Sequence, residues 1–434
     1  MWDRVVRNDD DDTEKVFNKA FESSIGYHRK VCVVRLIRNP SRNDALRELQ
    51  RVGVDPHGIA AMLPKMEHFI IGIEGLTCKV ANIMKQEMLS IGGDVAVARG
   101  SVGCTIETTD ALVMGTLKQI HRFIDKLASQ PFGLRALAEE MKSLLERNER
   151  RKFLLITPRR TIDIGGRTLV MGIINATPDS FSNGGKYDSM ENAVEAALRM
   201  EEDGADMIDV GGESTRPGSD PVPVEEEIRR VVPLVRALAA RTELPISVDT
   251  TKSVVAKAAI GEGAEMINDI SALRFDPGMA RLAASAGVPL VMMHMRGIPK
   301  TMQQGSLEYD SLEGEIIGFL RERIDFAVRA GVDEENIVLD PGIGFGKSGE
   351  DNCRLLRRLA DFRCLGRPLL VGPSRKGFIG RVTGDPPRER VEGTAAAVTA
   401  AILGGASIVR VHDVAFMKKV AAMADEIAGL REQT

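Results

Sequence analysis

Short apolar runs that stop dead at a polar residue recur along the last two-thirds of the chain. The clearest is Leu169 to Ile174, which ends at Asn175 and gives way to a turn-forming Thr177-Pro178-Asp179-Ser180. A continuous apolar run of that length reads as a parallel strand buried on both faces. Further runs follow at Met207 to Val210, Pro245 to Val248, Met266 to Ile270, Pro289 to Met293, Ile337 to Leu339, Pro368 to Val371 and Ile408 to Val411. Between them lie segments with helical spacing: Glu191 to Glu202, Val224 to Ala240, Ser253 to Glu262, Leu312 to Ala330 and Glu392 to Leu403. Eight strand and helix pairs, one roughly every 30 residues, predict a (β/α)8 barrel. A doubly wound open sheet is the rival, and eight parallel strands without a reversal favour the barrel.

The strand ends carry the chemistry. In order they are Asn175, Asp209, Asp249, Asn268 with Asp269, His294, Asp340, Ser374-Arg375-Lys376, and Arg410 with His412. In a barrel these ends converge on one mouth. A single such Asp reads most simply as a cap; eight polar ends in register do not, although Asp269 individually reads as a cap. Asp249, Asn268 and Asp340 offer acceptors for the adjacent N–H and amino donors of a pterin or guanine-like ring. Arg216, Lys376, Arg410 and His412 offer a local positive field for phosphate. Pro341-Gly-Ile-Gly-Phe-Gly-Lys-Ser348 looks like a phosphate loop, but three residues separate Gly342 from Gly346-Lys347 where a Walker A motif needs four. We read it as a glycine turn whose Phe345 and Lys347 cover the ligand.

Composition adds limits. With 58 basic against 62 acidic residues and a formal charge of −4, nothing draws the whole chain of 434 residues to nucleic acid or anionic membrane, so an anion site must be local. The five cysteines form no CxxC pair and no zinc spacing, which predicts reduced thiols and a cytoplasmic protein. Asp9 to Asp12 stand where a secretion signal needs positive charge, and Ala395 to Val409 is too short and too rich in Gly and Ala for a membrane span. The length predicts two domains, with a boundary at the charged run Glu146 to Lys152: 1–150, a smaller α/β or α+β domain, and 151–434, the barrel. The first domain predicts strands at Val31 to Ile37, Phe69 to Ile73, Asp94 to Ala98 and Ala111 to Gly115. Its helices are expected at Asp44 to Val52, Leu76 to Ser90, Leu117 to Ala128 and Leu134 to Leu145. It holds no catalytic constellation, so interaction or regulation is expected of it. Phe153 to Ile156 and Thr161 to Ile164 predict a hairpin that closes one end of the barrel.

The motifs, taken together, resemble the dihydropteroate synthase family. Asn175-Ala-Thr-Pro-Asp-Ser-Phe-Ser182 is similar to its first loop and Asp209-Val-Gly-Gly-Glu-Ser-Thr-Arg-Pro-Gly218 to its second. Val248-Asp249-Thr250, Asn268-Asp269, Met293-His294-Met295, Leu339-Asp340-Pro341-Gly342, Ser374-Arg375-Lys376 and Val411-His412-Asp413 follow in family order. The resemblance covers residues 153 to 430 and departs from the pattern in small ways, with Ala176 where Val is usual and Asn183 where Asp often follows.

That resemblance implies condensation of 7,8-dihydropterin-6-ylmethyl diphosphate with 4-aminobenzoate, giving dihydropteroate and diphosphate. It implies that Asp249, Asn268, Asp340 and Lys376 hold the pterin. Thr215, Arg216, Arg410 and His412 would hold the diphosphate, with Asn175 on its Mg²⁺. Ser374, with Arg375 beside it, Phe345 and the first two loops would border the aminobenzoate. Lys376, Arg410, His412 and Asp209 are the catalytic candidates, Asp209 either supporting the methylene cation or holding the second loop. Thr177 to Asn183 is expected to shut the site, and a homodimer is implied. The competing readings are a corrinoid methyltransferase using methyltetrahydrofolate, which needs no diphosphate site, and a non-catalytic pterin-binding protein.

Overall fold

The computed structural model describes residues 33–37, 41–176 and 186–430, without the side chains of 186–189. Its contacts divide the chain into two compact units, Met1–Glu139 and Glu140–Thr434. The division falls inside the helix Leu134–Glu149, ahead of the charged run expected to mark it.

In the first unit, helices α1 (Arg42–Val52) and α2 (Pro56–Met66) precede β1 (His68–Thr77), α3 (Cys78–Leu89), β2 (Asp94–Val97), β3 (Thr108–Thr116) and α4 (Leu117–Ala128). The three strands form an antiparallel sheet in the order β1-β3-β2. Alternation along β3 buries Ala111 and Val113, and Met84, Met88, Ile120 and Phe123 of the helices are fully buried. One expectation fails here. Residues 33–37 form no strand: Val33, Val34 and Leu36 are exposed, and β propensity without a ladder partner does not hold a strand. Helix α2 lies where no element was expected; it carries Pro64 inside it, and its start is well signalled, with Asp55 accepting from the Gly58 N–H at 3.0 Å and Pro56 in the first turn.

In the second unit, α5 (Leu134–Glu149, from its residue 140 onward) leads to the antiparallel hairpin β4 (Phe153–Ile156) and β5 (Thr161–Ile164). Then β6 (Leu169–Asn175), β7 (Met207–Gly211), β8 (Ile246–Asp249), β9 (Met266–Asp269), β10 (Leu290–Met293), β11 (Ile337–Asp340), β12 (Leu370–Val371) and β13 (Ile408–Val411) follow. They pair in parallel in the order β11-β10-β9-β8-β7-β6-β13-β12, and a parallel bridge between Leu339 and Leu369 closes the ring. The fold is a (β/α)8 barrel. Its outer helices include α6 (Lys186–Glu202), α7 (Val224–Ala239), α8 (Ser253–Gly261), α9 (Met279–Ala286), α10 (Leu312–Arg329), α11 (Gly349–Arg357), α12 (Gly377–Thr383), α13 (Val391–Leu403) and α14 (Val414–Ala428).

Period-two alternation sorts the strand residues. Val170, Val210, Val248, Ile267, Leu339 and Val409 pack with the helices. Leu169, Met171, Met207, Met266, Val291, Val338, Leu370 and Ile408 form a separate inner cluster with Phe153, Leu155, Ile162 and Ile164, so the hairpin plugs one end. Two residues further along four of these strands the inward position changes from apolar to polar: Met207 to Asp209, Met266 to Asn268, Val338 to Asp340, Ile408 to Arg410. The same step that packs the barrel's interior therefore loads its other end with charge.

Candidate active site

The polar residues bond to one another. Arg410 donates through Nε to Asp209 Oδ2 at 2.6 Å and through Nη2 to Asp249 Oδ2 at 2.8 Å. Asn268 Nδ2 donates to the same Asp209 oxygen at 3.1 Å. Asp209 is wholly buried, and its Oδ1 has no hydrogen-bond partner among the described residues. Through these bonds it ties β7 to β9 and β13, not to the loop after β7 that it was expected to hold. The parallel register places Asp249 beside Asn268, and both are more than nine-tenths buried.

Asp340 completes the acceptor set. Its Oδ1 accepts from the Gly342 N–H at 2.7 Å, and burial raises its pKa to about 6 despite that bond and the nearby Lys376. Burial likewise raises Asp249, against the pull of Arg410. Lys376 is displaced the other way, down to about 8 by burial, with Asp340 resisting. Its Nζ lies 3.9 Å from the centroid of the Phe345 ring. Phe345 belongs to a small apolar cluster with Ile270, Met293, Met295 and Met302. Acceptors, a cation and an apolar wall together make a slot suited to a flat, donor-rich heterocycle.

Three expected site residues have different work. Lys347 does not cover a ligand: it is 2% exposed and donates to the carbonyls of Gly342 and Phe345, each at 3.0 Å, and lies 2.9 Å from His294 Nδ1. It is an internal post of the glycine turn, and burial lowers it to about 7. The turn itself demands glycine: Gly342 has φ +74°, and a Cβ there would lie 1.8 Å from the His294 carbonyl oxygen. Arg375 commits its charge to Asp413, 3.0 Å away, while its own N–H donates to Thr394 Oγ1 at 3.1 Å. Through these bonds it fixes the turn that carries Ser374 and Lys376. His412 supplies no positive charge in the ligand-free site, because burial and then Arg410 lower it to about 3. Its Nδ1 lies 2.9 Å from Ser374 Oγ, so it acts as a neutral hydrogen-bonding ring.

His294 is also structural, lowered to about 2 by burial and Lys347, and edge-on to Phe319 at 5.0 Å. Asp269 caps, accepting from the N–H groups of Ser271 at 2.8 Å and Leu273 at 2.7 Å. Thr215 is half-buried and Arg216 exposed on the loop after β7. Asn175 ends β6, half-buried, in register with Gly211. The loop expected to close the site, Thr177 to Asn183 with Asp179, lies outside the described residues. Among the described residues no group of three His, Cys, Asp or Glu side chains is placed to hold a metal. A lone amide oxygen, Asn175, nevertheless suits a Mg²⁺ that keeps its waters and is held largely by phosphate oxygens.

A family model described as pterin binding enzyme matches residues 171–412, the stretch that contains every strand end named above. The chain belongs to the dihydropteroate synthases of that family. It is 49% identical to a dihydropteroate synthase of Synechocystis over 266 residues, covering 61% of this chain and 92% of the relative. The Xanthomonas albilineans dihydropteroate synthase solved with 4-aminobenzoic acid superposes with a TM-score of 0.60 at 46% identity, covering 64% of this chain and 98% of that one. A Halobacterium salinarum protein named as a probable bifunctional folylpolyglutamate synthase/dihydropteroate synthase is 40% identical over 377 residues, 86% of this chain and 44% of its own. That span exceeds what the barrel alone can supply, so the likeness to this relative enters the N-terminal unit. Sequence reasoning passed over Glu213, Glu227 and Lys252, taken up below; Glu213 was legible only as a letter within the second loop motif.

Proposed function

We infer that the chain is a pterinylmethyl transferase that condenses 7,8-dihydropterin-6-ylmethyl diphosphate with 4-aminobenzoate to give 7,8-dihydropteroate and diphosphate. The observation that carries the reading is the buried acceptor set Asp249, Asn268 and Asp340, with Lys376 over Phe345, at the mouth of a barrel of this family, opposite the end that the hairpin plugs. A pterin presents an amino group and ring N–H side by side, and the carboxylates meet them as bidentate acceptors do. One structure in the family is a Xanthomonas albilineans dihydropteroate synthase in complex with 7,8-dihydropteroate, the product expected here.

The reaction breaks the bond between methylene carbon and diphosphate oxygen. Negative charge grows on the leaving group, and Arg216, Thr215 and the neutral His412 ring are the residues of this chain that would receive it, with Mg²⁺ on Asn175 supplying Lewis-acid stabilisation when bound. Positive charge left on the methylene is shared by the dihydropterin ring, which favours cleavage ahead of amine attack. Arg410 is held by Asp209 and Asp249, so it offers a fixed donor array and not a mobile clamp. An aromatic amine is a free base at neutral pH, and no general base is demanded. Diphosphate release measured with and without 4-aminobenzoate tests the reading; release that ignores the amine, or methyl transfer to a corrinoid without diphosphate, would sink it. On the family resemblance we also propose a homodimer in the cytoplasm, checked by light scattering and cell fractionation, and a regulatory or interaction role for residues 1–150, checked by assaying a chain that begins near Arg150.

A further inference from the structure

We propose that Lys252, with Glu213 and Glu227, is a positioning latch that sets the loop carrying Thr215 and Arg216 and so governs the grip on diphosphate; this rests on the function inferred above. Lys252 lies three residues beyond Asp249, where β8 turns into α8. Its Nζ donates to Glu227 Oε2 at 2.5 Å and also to Glu213 Oε2. Glu213 belongs to the loop itself, two residues before Thr215, and the same Oε2 accepts from the Val222 N–H at 3.3 Å, so one carboxylate spans the loop from end to end. Glu227 stands in the first turn of α7, 1% exposed, and its second oxygen has no partner among the described residues. Lys252 is thus what offsets a buried carboxylate, and removing it leaves that charge uncompensated. Burial opposes the Lys252 charge, and the two carboxylates more than counter it, raising its pKa above the ordinary value.

The loop is anchored firmly at its root and lightly at its tip. At the root, Arg230 donates to the Gly212 carbonyl at 2.9 Å, and a Cβ on Gly212 would press against Val231 at 2.6 Å. At the tip, the Gly218 N–H donates to the Pro299 carbonyl at 3.2 Å, and Lys300 meets Asp220 in an exposed ion pair. A cavity of about 570 Å³, lined by Glu213, Thr215, Glu227, Asp249, Lys252 and Pro299 among others, lies between the two. One ammonium therefore couples the end of the strand that presents Asp249 to the root of the loop that presents Thr215.

The test is Lys252→Met in the full chain, with Glu213→Gln as a milder second variant. Amide hydrogen exchange without substrate should show lost protection over residues 213–222 and unchanged protection in β9 and β11. The KM for the pterin diphosphate and the inhibition constant of inorganic diphosphate with Mg²⁺ should rise on the order of 10- to 100-fold, with calorimetric binding of 6-hydroxymethyl-7,8-dihydropterin held within about twofold. Glu213→Gln should fall between wild type and Lys252→Met. Equal loss of the pterin alcohol and of diphosphate would overturn the latch, as would a loosened loop with unchanged diphosphate inhibition. A wild-type chain that forms no dihydropteroate would overturn the function reading alone, since loop protection is read without substrate.

Discussion

The inner ring of the barrel mouth and its rim hold the same kinds of side chain under opposite conditions. Within, Asp209, Asp249 and Asn268 are buried, and the half-buried Arg410 bonds to both carboxylates while Asn268 bonds to Asp209. At the rim, Arg216 is exposed on a loop and Asn175 half-buried at a strand end. The ring is preorganised, so its polar groups do not reorganise when a heterocycle binds, and a wrong ligand leaves them unpaired. The rim is positioned by distant contacts and, on the function proposed above, serves a group that must leave. Under that reading recognition is built on strands and release on loops.

Breaking the ring should have the largest effect. Asp340→Asn keeps the acceptor for the Gly342 N–H but removes the charge, and should weaken pterin binding by more than about 100-fold in calorimetry. The same change should stabilise the ligand-free protein. With its carboxyl raised to about 6, folded Asp340 binds more protons than the unfolded chain between the ordinary carboxylate value and about pH 6. Its contribution to stability therefore falls as pH rises through that window and stays lost above it. Asp340→Asn should accordingly gain about 1–3 kcal/mol at pH 7.5 and almost nothing at pH 4; a gain of equal size at both pH values would refute the burial argument.

Arg410→Met comes next. It strands Asp209 and Asp249 as buried carboxylates without their cation, at a cost of about 3–5 kcal/mol in stability. Asp209→Asn in the same chain should restore part of that loss, and a double variant no more stable than Arg410→Met would contradict the tie that Asp209 makes to Arg410.

The ring was legible in the sequence and the rim less so, for a physical reason. Strand alternation has a fixed period, so Met207 to Asp209 or Ile408 to Arg410 announces a polar group facing inward. The eight strands, the hairpin Phe153–Ile156 with Thr161–Ile164, and most helix limits follow from the same local rules. What a charged residue does after the strand ends is set by partners far along the chain. Arg375 reads as a substrate contact beside Ser374 until Asp413 is seen next to it, and Lys347 reads as a cover for the ligand until the carbonyls of Gly342 and Phe345 enclose it. The exposed run at 33–37 errs in the other direction, since β-branched residues mark a strand only where a neighbour accepts the ladder.

Rim changes should be smaller and selective. Arg216→Ala should lower kcat/KM by about tenfold to a hundredfold through lost stabilisation of the leaving diphosphate, with pterin alcohol binding unchanged; a loss of pterin affinity would place Arg216 in recognition instead.

Asn175→Ala should be the mildest and the most specific. A single neutral oxygen is a small part of an octahedral shell that water and diphosphate can otherwise fill, so turnover at saturating Mg²⁺ should drop by no more than about tenfold. What should change more is the metal response, because a site that has lost its protein donor relies on the ion carried by the substrate. Activity followed against free Mg²⁺ should show a shallower, right-shifted curve in Asn175→Ala than in wild type. Asn175→Asp is the complementary change: added charge should shift the curve left, since a carboxylate binds Mg²⁺ more strongly than an amide. Coincident curves for all three proteins would remove Asn175 from the metal and leave it as the residue that ends β6 opposite Gly211.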